Sequence, residues 1–219
     1  MVKVERSFPA PESLQKEREK ANGRYDSEDV LERLSADFHN KCYLCELKPL
    51  QDPEVEHLRP HKNGKYLDRK FDWANLFWAC GRCNSIKNQR KYDEGIINCC
   101  KEDPEAKIRV QYLENAVEIS SLEEGNELID RTVLLLNEVY NKKNSGMRVI
   151  TSEYRIRELR MEMNLFFDSL SQYNRDRTNQ LHCRILKAYL SRESAFAAFK
   201  RGYIKDHFTQ YPELQSWLE

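Results

Sequence analysis

The chain has 219 residues, 40% hydrophobic and 33% charged, with seven Gly and seven Pro. That is enough apolar material for a core, too much for a wholly disordered chain, and too little Gly and Pro for a collagen-like or low-complexity one. Lys and Arg balance Asp and Glu at 36 each, which excludes the broad positive field of an autonomous nucleic-acid binder. No stretch approaches the roughly 18 apolar residues of a spanning helix, so a soluble, cytoplasmic protein without membrane attachment is expected.

In chain order, residues 1–24 are polar, with Pro9 and Pro11 early, and read as an arm leading into a short helix. Residues 26–39 place Val30, Leu31, Leu34 and Phe38 on one helical face, with Asp26 or Ser27 as N-cap. Candidate strands lie at residues 55–58 and in a second short run before Asp72, and a helix is expected over 83–91. An acidic segment, 99–130, carries possible strands at 107–112 and 116–119. Beyond it the pattern is helical: Leu128, Ile129, Val133, Leu136 and Tyr140, then a break at Asn144-Ser145-Gly146. Residues 151–170 repeat it with Tyr154, Ile156, Leu159, Met163, Phe166 and Leu170, and residues 178–205 do so again. The expected class is α+β, in three parts. These are an N-terminal arm and helix (1–39), a core that holds the chemistry (40–98) and a mainly helical extension (99–219).

Local charge is uneven beneath the neutral sum. Residues 41–91 are net +5, residues 92–140 net −8, and residues 141–219 net +5. The first block is compatible with a local polyanion site. The acidic block reads as a solvated face or a protein-docking surface, and Arg148, Arg155, Arg157, Arg160, Arg175 and Arg177 as exposed charge or a partner interface.

Seven cysteines, an odd number, argue against a secreted disulfide framework. Four form two Cys-x-x-Cys pairs, Cys42/Cys45 and Cys80/Cys83, separated by 34 residues. Two such knuckles supply the four soft ligands of a closed tetrahedral zinc site. Cys99, Cys100 and Cys183 lack such spacing and read as small apolar residues.

Between the knuckles lies Val55-Glu56-His57-Leu58-Arg59-Pro60-His61-Lys62, a carboxylate and an imidazole on adjacent residues at the end of an apolar strand. Further on come Asn75-Leu76 and Cys80-Gly81-Arg82-Cys83-Asn84, then Lys87. The order Cys-x-x-Cys, Glu-His, Asn-Leu, Cys-x-x-Cys-Asn and Lys resembles the HNH (ββα-metal) endonuclease family over about residues 40–91. Val-Glu-His-x-Arg-Pro, with Ile96-Ile97-Asn98, Asp103-Pro104-Glu105 and Ser194-Ala195-Phe196, is similar to the HNH subunit (PtuB-like) of Septu-type antiphage systems, also found with some retrons.

The resemblance implies a zinc-knuckle ββα-metal core and hydrolysis of phosphodiester bonds with one Mg2+ or Mn2+ ion. His57 matches the general base and Glu56 the metal-holding carboxylate. Asn84 matches the second metal ligand, and Asn75 the residue that orients the base through hydrogen bonds. Lys87 is expected to meet a phosphate, and Arg59, Lys62 and Lys65 to add backbone contacts. The resemblance also implies a DNA substrate and an SMC/ABC-like ATPase partner (PtuA-like) in an antiphage complex. Two positions depart from the commoner pattern: Glu56 stands where Asp is usual, and Asn84 where His is. His61 is an unassigned imidazole that could itself bind metal. Each residue also has a plainer role: His57 a buried histidine, Glu56 a surface carboxylate, Asn75 a turn residue, Asn84 the N-cap of the next helix. Trp73, Phe77 and Trp78 are read as core around the zinc site rather than base-stacking groups. An RNA (tRNA) nuclease of the same type, a non-catalytic zinc module and a stand-alone restriction or homing nuclease are the competing readings.

Overall fold

The structure, a computed structural model, describes residues 1–114, 116–141 and 147–219, with the backbone alone for 147–151. The break expected at Asn144-Ser145-Gly146 and the Arg148 side chain lie outside the described residues. The N-terminal segment is less an arm than a strap laced into the core. Val2 and Val4 are buried, and the Val4 amide donates to the Cys99 carbonyl (2.9 Å). Arg6 donates to the Leu76 and Trp73 carbonyls (2.6 and 3.0 Å) and lies over the Trp73 ring. Helix α1 (Glu12–Arg18) follows. Helix α2 (Glu28–Asp37) buries Val30 and Leu34, with Phe38 just past its end, as the spacing requires. Ser27 occupies the N-cap position, but its side chain makes no capping hydrogen bond.

Strand β1 (Pro53–His57) pairs antiparallel with β2 (Leu76–Cys80), His57 opposite Leu76 and Val55 opposite Trp78. The run before Asp72 is no strand; it forms the short helix α3 (Leu67–Lys70). Leu67 is half exposed there, and Asp68-Arg69-Lys70 separate it from the buried Phe71, so the run offers a sheet no continuous face to bury. Leu-Phe-Trp-Ala-Cys, in contrast, is apolar throughout and suits a strand covered on both sides. Trp73, Phe77 and Trp78 are core residues. Helix α4 (Gly81–Lys87) begins directly after β2, because Cys80 takes the N-cap and its Sγ accepts from the Cys83 amide (3.4 Å). Asn84 therefore lies inside the helix rather than at its start, and the helical run expected to reach residue 91 ends at Asn88, with a 3-10 turn at Arg90–Tyr92.

The remainder is a hairpin under helices. Strands β3 (Ile108–Leu113) and β4 (Ala116–Ser121) pair antiparallel, burying Ile108, Val110, Val117 and Ile119. Helix α5 (Glu127–Tyr140) covers this sheet and touches α4. Helix α6 (Met147–Arg175) buries Leu159, Met163, Phe166 and Leu170 but leaves Tyr154 exposed. The single helical run expected over 178–205 is two helices, α7 (Gln180–Leu190) and α8 (Ala197–Asp206). Between them Ser194 hydrogen-bonds the Tyr189 and Ser191 carbonyls, an alternative to helix that serine favours. The Glu46 carboxylate then accepts from the Ala198 amide at the start of α8 (2.9 Å), tying the first knuckle to the C-terminal helices. Gly202 lets α8 lie close on β3, since a Cβ there would stand 2.7 Å from the Val110 carbonyl oxygen.

The molecule is thus mixed α+β, about half helical, with two small antiparallel sheets. Among the described residues no helix is long and apolar enough to cross a membrane. The acidic block is not uniformly solvated. Glu105 is buried and accepts from Arg201 (2.7 Å) and Arg192 (3.2 Å), with Lys205 at 3.4 Å. Burial works against its charge, but Arg201, Lys205 and Arg192 outweigh it and hold the carboxyl below its usual range. Glu105→Ala would leave the buried Arg201 guanidinium without its counter-charge, a loss of about 3–5 kcal/mol. Urea unfolding should show a correspondingly lower midpoint, whereas Glu114→Ala, on the exposed hairpin turn, should not move it.

Candidate functional site

The two Cys-x-x-Cys pairs meet. The Sγ atoms of Cys42, Cys45, Cys80 and Cys83 all lie within 4.8 Å of one another, and Cys42, Cys45 and Cys83 are wholly buried. Cys45 and Cys80 sulfurs are 3.8 Å apart, far beyond a disulfide bond. That spacing matches the edge of a tetrahedron with metal–sulfur bonds of about 2.3 Å, which is about 3.8 Å. Among the described residues this is the one group of three or more Cys, His, Asp and Glu side chains close enough to hold a metal ion. Its donor set is compatible with structural zinc.

One arginine read as surface charge belongs here instead. Arg155 of α6 is buried, with Nη2 3.9 Å from both the Cys80 and Cys83 sulfurs and Nη1 donating to the Val139 carbonyl (2.9 Å). Burial disfavours its charge, yet the neighbouring Cys45, Cys83 and Cys80 sulfurs more than offset that and push its pKa up. Arg157, Arg160, Arg175 and Arg177 are exposed, as expected.

A cleft of about 460 Å3 opens where β1 ends and α4 runs past it, and Glu56, His57, His61, Lys62, Asn84 and Lys87 all line it. His57 is buried, and burial, helped by the nearby His61, Lys87 and Lys70, pushes its pKa down to about 4. The ring is therefore neutral at pH 7. Its Nε2 is 3.1 Å from the Lys70 carbonyl oxygen, which only accepts, so the proton sits on Nε2 and the lone pair on Nδ1. Among the described residues Nδ1 has no hydrogen-bond partner.

Glu56 is buried and both its oxygens are engaged. Lys87 Nζ approaches Oε1 at 2.5 Å, and the Tyr43 hydroxyl donates to Oε2 at 2.5 Å. Burial and then the Glu56 charge push the Tyr43 phenol well up, so it remains a donor. Lys87, expected to face a phosphate, is turned inward and also donates to the His57 carbonyl (2.9 Å). The reason is electrostatic: Glu56 without a counter-charge would be an unpaired buried carboxylate, and Lys87 supplies that charge. Asn84 donates its Nδ2 to Glu54 Oε2 (2.6 Å), which leaves its carbonyl oxygen as the atom available to a ligand.

Asn75 stands outside the cleft, as does Arg59. Asn75 does not touch the imidazole. It accepts from the Arg59 amide (2.8 Å) and donates to the Arg59 and Arg69 carbonyls (2.9 Å each). It thereby fixes the peptide beside Lys70, whose carbonyl holds His57, so it can orient the ring only through the loop backbone. Arg59 is exposed on the far side of that loop, and Lys62 is paired with Asp93. Asn75→Ala would strand three backbone groups and cost about 3 kcal/mol. Limited proteolysis should then cut first within residues 58–70.

Sequence reasoning missed Tyr25, whose ring stands edge-on to His57 (centroids 4.6 Å apart) and to His61 (5.7 Å). Nothing in its local sequence marks it, since the contact is made by the fold of the N-terminal segment, with Lys70 Nζ donating to the Gly23 carbonyl (2.7 Å). Tyr43 and Glu54 were also missed, although Glu54 shares a strand face with Glu56 and period-2 alternation could have marked it. No known family model matches the chain, and no curated protein matches it either.

Proposed function

We propose that the chain is a metal-dependent endonuclease that hydrolyses phosphodiester bonds in DNA, on a ββα-metal (HNH) core formed by β1, β2 and α4. The observation that carries this reading is a neutral His57 with an unengaged Nδ1 in one cleft with Glu56 and Asn84. In the reaction, His57 Nδ1 takes a proton from water as the water oxygen bonds to phosphorus. The phosphorus bond to the leaving oxygen breaks, and that oxygen takes a proton from solvent. Glu56, on giving up its Lys87 or Tyr43 contact, and the Asn84 carbonyl oxygen would hold one Mg2+ or Mn2+ ion, hard oxygen ligands for a hard cation. The ion would supply Lewis-acid stabilisation of phosphate charge. Lys87 is the counter-charge of the buried Glu56, and the Lys70 carbonyl keeps the His57 lone pair on Nδ1. The four cysteines, filled with zinc, would anchor the Pro53/Cys80 end of the strand pair and the start of α4.

The role as effector of an antiphage complex with an SMC/ABC-like ATPase rests on the motif resemblance and is tested by co-purification with such a subunit. The activity is tested by nicking of supercoiled plasmid with Mg2+ or Mn2+, wild type beside His57→Ala, with and without the partner. Metal-dependent cutting lost in the variant is expected. Cutting of RNA in place of plasmid would move the substrate to RNA. A folded, metal-loaded protein that cuts neither would move the reading to a binding module.

A further inference from the structure

The cleft holds a second imidazole to which the reaction above gives no role. His61 lies four residues after His57, and the two rings are 4.6 Å apart, with Tyr25 against both. Their hydrogen bonds set the same tautomer, with the proton on Nε2 in each ring, but leave opposite nitrogens free: Nδ1 of His57 and Nε2–H of His61. The His57 ring gives its N–H to the Lys70 carbonyl and keeps a lone pair on Nδ1. The His61 ring accepts the Gly64 amide on Nδ1 (2.9 Å), so in the neutral ring the proton must sit on Nε2. Among the described residues no group accepts from that Nε2–H, and the ring is only half-buried, at the wall of the cleft.

The same contact explains why the turn can exist. Lys62, Asn63 and Gly64 all have left-handed backbones (φ 51°, 53° and 86°), which is costly for the two that are not glycine. His61 Nδ1 holds the third residue's amide, and the Tyr66 amide closes the loop onto the His61 carbonyl (3.1 Å). His61 is thus locked in ring orientation, and a metal-ligand role for its Nε2 would require the ring to give up the Gly64 contact.

We propose that His61 is a further catalytic residue: its Nε2–H donates a hydrogen bond to a non-bridging oxygen of the scissile phosphate while His57 takes the proton from water. No proton leaves His61. Burial, then the charge of Lys70, lowers its pKa, which keeps it a neutral donor rather than an acid. Two neutral rings side by side then present the two functions hydrolysis needs, an acceptor for the water proton and a donor for the charge that builds on phosphorus. This inference rests on the nuclease reading.

Two substitutions separate donation from bracing of the turn. His61→Asn keeps an acceptor near the Nδ1 position, able to hold the Gly64 amide, but lacks a donor at the reach of Nε2. His61→Gln keeps a donor near Nε2 and loses the acceptor. Steady-state cleavage of a DNA duplex with Mg2+ should show kcat reduced about 10²-fold in His61→Asn with KM little changed. His61→Gln should recover most of that loss. The proposal is overturned if His61→Asn cleaves at the wild-type rate, or if His61→Gln is the more damaged of the two, which would make His61 a brace for the turn. Wild type and His57→Ala run alongside. A wild type that cuts, beside an inactive His57→Ala and an unaffected His61→Asn, sinks the His61 role alone. A wild type that cuts nothing sinks the nuclease reading and this role together.

Discussion

Cys83→Ser is expected to abolish tight metal binding and, with it, the native fold. The side chain is wholly buried, its sulfur lies within 4.8 Å of the three other cysteine sulfurs, and Arg155 Nη2 of α6 stands 3.9 Å from it. Four thiolates in such a place cannot be charged together against one guanidinium, because unpaired buried charge costs several kcal/mol per ion. A divalent cation resolves the imbalance. Structural zinc in small sites contributes roughly 10–16 kcal/mol, against a typical total stability of about 5–15 kcal/mol, so its loss cannot be absorbed. The damage would spread beyond the knuckles, because the cluster ties α6 through Arg155 and α5 through the Tyr140 hydroxyl, which donates to the Cys45 carbonyl (2.6 Å). Metal analysis should find about one zinc per chain in the wild type and none in Cys83→Ser. The near-UV circular dichroism of the variant should collapse, while Cys183→Ser, far from the cluster in sequence and with its thiol donating to the Arg177 carbonyl, should keep both. A wild type free of zinc, or a Cys83→Ser protein that unfolds like the wild type, would refute the metal site.

The parts of this architecture that could be read from sequence are those whose signal is local. Cys-x-x-Cys spacing specifies a knuckle by itself, and two matched knuckles specify a shared cluster. Leu128, Ile129, Val133, Leu136 and Tyr140 announce α5 because a helix face repeats every three or four residues. The misplaced second strand shows where this fails. A short apolar run carries no period, so only the partner strand decides between residues before Asp72 and residues 76–80. Asn84 looked like an N-cap because a polar residue follows the knuckle, yet the Cys80 sulfur already serves that amide end. Arg155 and Lys87 were misread for a common reason. A basic side chain is normally solvated, and what buries these two is a counter-charge 72 or more residues away for Arg155 and 31 residues away for Lys87. The contact of Tyr25 and the complementary free nitrogens of His57 and His61 were equally invisible, since each depends on a backbone group brought in by loop closure.

His57→Ala is expected to lower cleavage about 10²–10⁴-fold, the usual worth of a positioned general base, while leaving a folded, metal-loaded protein. The pH behaviour distinguishes this role from that of an ordinary exposed histidine. His61, Lys87, Lys70 and Tyr25 face the ring, and with burial as the largest cause its pKa falls to about 4 from an ordinary 6.5. The base therefore stays unprotonated far below neutrality, and cleavage should not halve near pH 6.5 through His57, as it would for a solvated imidazole. The same shift has a fixed sign for stability. Between pH 6.5 and about 4 the unfolded chain binds a proton at His57 that the folded chain refuses, so stability falls as pH is lowered through that window. The contribution approaches roughly 3 kcal/mol at its acid end. His57→Ala should remove that slope, so wild type and variant, compared by urea unfolding from pH 7 down to pH 4, should converge as the pH drops. A variant that keeps the wild-type cleavage rate would assign the imidazole to packing. A variant that loses cleavage but keeps the full pH slope would place the buried proton exclusion elsewhere in the cleft.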